Sequence, residues 1–133
     1  IWKVRLSEGL QSAQAFSILL QADQVDVYWL EVSEAIGEEG WRILAKAIRP
    51  GILGCINVTR DGLAQGKRED IKHLFDAGCG FRIFKTLEDL QAYSWRASLF
   101  FVQEVNNWSR MERVLDMSEQ EFKEEIKRQI GGV

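Results

Sequence analysis

The sequence predicts an α/β fold, and three observations carry that reading. Short runs rich in β-branched and aromatic residues recur at Trp2–Leu6, Val25–Val32, Ile52–Val58 and Phe81–Phe84. A stretch of helical spacing separates each run from the next, and the loops between them are only a few residues long. A β-α-β-α-β-α-β order with connections of this kind requires parallel strands joined by crossover helices. The expectation is therefore βαβ layers with a parallel or mixed sheet, continued by a helical C-terminal extension.

Alternation sets Trp2, Val4 and Leu6 on one face of the first strand and Lys3 and Arg5 on the other, before Ser7-Glu8-Gly9 breaks the pattern. Ser12 is a plausible N-cap for a helix that carries Phe16, Leu19 and Leu20. Val25 to Val32 is nearly continuous in apolar character, as a central strand covered on both faces would be. In the next helix Trp41, Leu44, Ala45 and Ile48 stand at i, i+3, i+4 and i+7, with acids at its start and Arg49-Pro50 at its end. Asp61-Gly62 marks a turn after the third strand, and Ile71, Leu74 and Phe75 form a helical stripe closed by Gly78. Past the fourth strand, Thr86 caps a helix, and Leu87, Leu90, Trp95, Leu99, Val102 and Val105 extend apolar contacts into a long helical region. Ser118-Glu119-Gln120-Glu121 is a capping box flanked by Met117 and Phe122, where a hydrophobic staple belongs. It opens a last helix whose apolar face is Phe122, Ile126 and Ile130.

Composition narrows the function. The chain has 133 residues, 46% of them hydrophobic, which suits one globular domain with a real core. Its 17 basic and 20 acidic residues leave a net charge of -3, so no overall electrostatic footprint for nucleic acid or an anionic membrane is present. Two cysteines, Cys55 and Cys79, are too few for a disulfide scaffold and read as buried free thiols of a cytoplasmic protein. No run is long enough for a membrane-spanning helix, and the N-terminus lacks the apolar centre of a signal peptide. The chain opens without Met on a strand-like pattern, as a piece cut from a longer polypeptide would.

Catalytic chemistry finds little purchase. His73 has Asp70 and Asp76 three residues to either side, but no nucleophile accompanies it. Cys79 follows a helix C-terminus, whose dipole raises a thiol pKa and makes it a poor nucleophile. Gly62 to Lys67 occupies the place of a phosphate loop, yet Arg68 stands where such a loop needs Ser or Thr. Trp29, Trp41, Trp95 and Trp108 lie in apolar patterns without basic interleaving and read as core or interface anchors. No catalytic, cofactor-binding or metal-ligating set is expected.

Two family resemblances compete. Ile1, Val4 and Leu6 recur as Val27, Leu30 and Val32, then as Leu53, Ile56 and Val58, each set 26 residues after the last. This period resembles that of leucine-rich repeats, and Ile36 to Leu44 is similar to the convex segment of one. The place of that repeat's buried Asn is held instead by Gly9, Ala35 and Asp61. Alternatively, residues 1 to about 95 resemble the STAS domain, the sulfate-transporter and anti-sigma-factor-antagonist fold. The likeness lies in Val4 to Leu10 with the Ala-rich helix behind it, Leu30-Glu31-Val32-Ser33, Ile71 to Gly78, and Phe81 to Leu90. It implies a switch loop at Ile36-Gly37-Glu38-Glu39-Gly40, where phosphorylated members carry Ser or Thr and this chain has no hydroxyl. Ser33 is the nearest alternative. Glu38 or Glu39 would hold a constant negative charge at the helix N-terminus.

The combined expectation is a STAS-like α/β domain over residues 1–95 and a helical extension over 96–133 that packs on it or on a partner. Its function is that of a non-catalytic regulatory or protein-interaction module. A leucine-rich-repeat protein-binding segment is the alternative, and a small-ligand or lipid-binding carrier is the alternative of another class. Candidate partner-binding residues are Ile36, Glu38, Glu39, Trp41, Lys67 and Arg68, with Phe122, Ile126 and Ile130 as a homodimer contact. No nucleic acid, cofactor or membrane span is expected.

Overall fold

The computed structural model describes residues 2–22, 27–49, 51, 53–84, 86–91, 102–105 and 107–131. Their order is β1 (Trp2–Leu6), α1 (Leu10–Ala22), β2 (Val27–Val32), α2 (Gly37–Ala47), β3 (Leu53–Thr59), α3 (Arg60–Leu63) and α4 (Arg68–Asp76). Then follow β4 (Gly80–Phe84), α5 (Leu87–Gln91), β5 (Val102–Val105), α6 (Trp108–Asp116) and α7 (Glu119–Gly131). The expected α/β class is what the chain adopts. One sheet runs β1-β2-β3-β4-β5, with the first four strands parallel and β5 antiparallel to β4.

The sequence period reappears as strand register. Val4 pairs with Leu30 and Leu30 with Ile56, a step of 26 residues each time, while Ile56 pairs with Phe81 after 25. Strands therefore add in chain order with no reversal, and crossovers of one hand set successive helices on one face. That face carries Leu6, Tyr28, Leu30, Val32, Ile56, Val58, Phe81, Ile83 and Val105, all buried in one cluster. Phe16 of α1, Trp41 and Leu44 of α2, Leu74 of α4, Met111 of α6 and Phe122 of α7 complete it.

Local signals explain most boundaries. The Ser118 hydroxyl accepts from the Glu121 amide at 3.1 Å, and Glu121 accepts from the Ser118 amide at 3.3 Å, a complete capping box. Thr86 Oγ1 accepts from the Asp89 amide at 3.1 Å, so it caps α5 as expected. Ser12 does not cap α1: the helix starts at Leu10, and the Ser12 hydroxyl accepts from the Glu8 amide at 2.7 Å. Gly54 is required by close approach, since a Cβ there would stand 1.9 Å from the Tyr28 ring that crosses it.

The C-terminal third departs from an all-helical extension. Val102–Val105 is a strand, because the free edge of β4 offers a ladder that a β-branched pair fits better than a helix. Trp95 and Leu99, which also carried the helical expectation, lie outside the described residues. Val105, Met111, Val114, Phe122 and Ile126 belong to the same buried cluster as β1 to β4. No helix among the described residues is long and apolar enough to cross a membrane.

Candidate functional site

The pleat sends every second side chain away from the helices, and the register aligns these residues across the sheet. One row consists of Arg5, Glu31, Asn57 and Arg82, one residue from each of β1 to β4. Beside it run Trp29 and Cys55. Arg5 Nε donates to Glu31 Oε2 at 3.0 Å, with the arginine side chain 60% exposed and the glutamate 18%. Asn57 is fully buried; its Nδ2 donates to the Leu30 carbonyl at 3.2 Å, while Oδ1 has no hydrogen-bond partner. The Arg82 guanidinium lies 4.7 Å from the centroid of the Trp29 ring, within cation–π range. At the β3–β4 end, α5 packs against this side of the sheet, where Phe84 and Leu90 are buried apart from the main cluster.

This face carries the Arg5–Glu31 ion pair and a cation stacked on an aromatic ring. It contains aromatic and arginine groups of the kind that anchor protein interfaces. It contains no base–nucleophile pair. Among the described residues no three His, Cys, Asp or Glu side chains converge as a metal site.

The loops at the C-terminal edge of the strands are closed by internal contacts. Gly37, at φ +69°, turns its amide to Gln65 Oε1 at 3.0 Å. Glu38 lies 3.3 Å from Lys67 Nζ. Glu39 pairs with Arg42, and that guanidinium holds its carboxyl below the usual range. Arg68 donates to Asp116 Oδ1 at 2.8 Å and approaches Glu112 at 3.8 Å, so the basic pair Lys67-Arg68 is engaged by acids of the same chain. The Ser33 hydroxyl is buried and donates to the Leu6 carbonyl at 3.1 Å.

Burial separates the expected partner-binding residues into two groups. Ile36 and Trp41 are internal, and Trp41 Nε1 donates to the Gly62 carbonyl at 2.9 Å. Phe122 and Ile126 are likewise internal, 0% and 2% exposed, so they dock α7 onto its own domain. The helix needed a partner surface and found it within the chain. The Ile130 side chain lies outside the description. Glu38, Glu39, Lys67 and Arg68 remain at the surface.

Tyr28 and Cys79 meet beneath the sheet, with Oη 2.7 Å from Sγ. Burial pushes the Cys79 thiol up to about 11 and raises Tyr28 as well, so both stay protonated near neutral pH. A thiol so placed is structural, in keeping with the reading of Cys79 as a poor nucleophile. His73 is exposed on α4. A shallow groove of about 730 Å³ between α6 and α7 is lined by Glu112, Arg113, Asp116, Glu125 and Arg128 among others, and it opens to solvent.

The Trp29–Arg82 contact was the feature missed in the sequence, where Trp29 reads as free of basic neighbours. Its signal is present: Tyr28-Trp29-Leu30 and Phe81-Arg82-Ile83 each place one outward residue between two inward ones. Only the pairing of β2, β3 and β4 brings the two together. Comparison with protein-family models, with curated proteins and with solved structures found no match.

Proposed function

We propose that the chain is a non-catalytic protein-interaction module that binds with the sheet face opposite its main helical layer. The observation that carries this reading is the Arg5–Glu31 ion pair on this face with the Trp29–Arg82 pair beside it. Strands added in chain order at a 26-residue step favour the leucine-rich-repeat-like reading of the module. One observation favours the STAS-like reading: α5 lies against β3 and β4 away from the main cluster, as a two-sided layer fold would have it. In the STAS-like form the switch loop at Ile36–Gly40 lacks a hydroxyl to take a phosphate, and Ser33 turns its hydroxyl inward.

The test is site-specific photocrosslinking in cells, with the reactive group at Arg5 on the binding face or at Lys46 on the helical side. A defined protein captured from position 5, not from position 46, and lost on Trp29→Ala with Arg82→Ala, supports the module. Equal capture from both positions contradicts it. A small molecule retained through dialysis and seen by native mass spectrometry would favour the carrier instead.

A further inference from the structure

The two ends of the sheet differ. At one end β5 runs antiparallel to its neighbour, and α6, packed against β5, has Ser109, Arg110, Arg113 and Asp116 exposed. At the other, β1 is the edge strand and pairs with β2 alone among the described residues. Above β1, α1 buries Ala13, Phe16 and Leu20 but leaves Ile18 65% and Leu19 50% exposed, with exposed Ala15 on the same stripe. Leu10, Ile18 and Leu19 are three of the four large apolar side chains exposed among the described residues, and all three belong to α1.

We propose that this end is a self-association surface, at which two copies join β1 to β1 and α1 to α1 across a two-fold axis. Two internal boundaries of the fold already have that composition, a strand pairing with a strand while the helices above pack together: β1–β2 with α1–α2, and β2–β3 with α2–α4. A second copy continues this interface and extends the sheet from five strands to ten. The two-fold arrangement is favoured over head-to-tail stacking because the far end offers the polar and charged face of α6, whereas a two-fold sets the Ala15, Ile18 and Leu19 stripe against itself and closes. Pleat parity restricts the register: pairing Val4 with Val4 sets Leu6 of both copies on the helical side. The same register sets Lys3 of one strand opposite Arg5 of the other, so added salt should strengthen the pair by screening like charges. Two binding faces would then form one continuous surface, although the association does not depend on that role.

Sedimentation velocity over micromolar to millimolar concentrations should show a monomer–dimer equilibrium. Ile18→Glu combined with Leu19→Glu should weaken it by at least about tenfold, since each charge would enter a desolvated contact. Leu87→Glu, which alters the exposed apolar residue of α5, should leave it unchanged. In the wild type, amide exchange across residues 2–6 should slow as concentration rises, a readout that stands even if the α1 variant fails to fold. A monomer throughout, a dimer that survives the α1 substitutions or fails with Leu87→Glu, one that weakens with salt, or β1 exchange independent of concentration would each overturn the proposal.

Discussion

At the scale of single residues, the Tyr28–Cys79 pair makes a pH-dependent contribution whose sign follows from burial. The folded thiol titrates near 11 against an ordinary value of 9.0, and Tyr28 is shifted the same way, so the folded state holds protons that the unfolded chain releases first. Stability from this pair is full below pH 9 and falls as pH rises towards 11, by at most ~1.4 kcal/mol per pH unit for the thiol. Urea midpoints measured between these pH values should decline, and Cys79→Ala should flatten the decline. Near neutral pH the effect of Tyr28→Phe is different. It removes the partner of a buried thiol while keeping the ring over Gly54, and should cost about 1 kcal/mol. The Tyr28–Cys79 contact could not be read from the sequence, because the two residues are 51 positions apart and meet only when the turn before β4 packs across β3 towards β2.

Among the elements, β2 lies between β1 and β3 and is the strand whose apolar continuity was most legible. Leu30 is completely buried, so Leu30→Ala should cost about 2 to 5 kcal/mol in urea unfolding, whereas a loss below about 1 kcal/mol would contradict its central place. The capping box of α7 is a second element-scale case. Ser118→Ala removes one acceptor for an exposed first-turn amide and should destabilise by about 1 kcal/mol, with Ser118→Asp restoring most of it. These signals were legible because each is local: alternation, a cap three residues from its partner, or a stripe one turn apart. The 26-residue period was legible for a related reason, since it was a spacing before it was a strand register. What stayed hidden required a neighbour. Val102–Val105 became a strand through the edge of β4, and Arg82 reached Trp29 only across β3. Charge at Glu38, Glu39, Lys67 and Arg68 was visible, but its neutralisation within the chain was not, because Lys67–Glu38 and Arg68–Asp116 join different helices or loops.

For the whole molecule, the question is whether the C-terminal helices are an appendage or part of one cooperative unit. The Arg60 side chain, only 16% exposed, reaches from the end of β3 to the Leu115 carbonyl at 3.2 Å and also donates to the Met117 carbonyl. It thereby satisfies carbonyls at the C-terminus of α6, which the helix itself leaves without partners. Phe122 and Ile126 then insert into the cluster that holds Trp41, Leu44 and Ile56. Emptying two such sites costs about 3–5 kcal/mol for a phenylalanine and 2–5 for an isoleucine. That sum is comparable with the roughly 5–15 kcal/mol by which a domain is stable at all. Removal of residues 117–133 should therefore not leave an intact domain with a trimmed tail. Tryptophan fluorescence and far-UV circular dichroism should show a truncated chain that has lost its cooperative urea transition. Phe122→Ala in the full chain should lower the unfolding free energy by about 3–5 kcal/mol, with both probes still coincident. A truncated chain that unfolds at the original midpoint would mean that the β1 to β4 layers stand alone, and that α7 covers a core already complete.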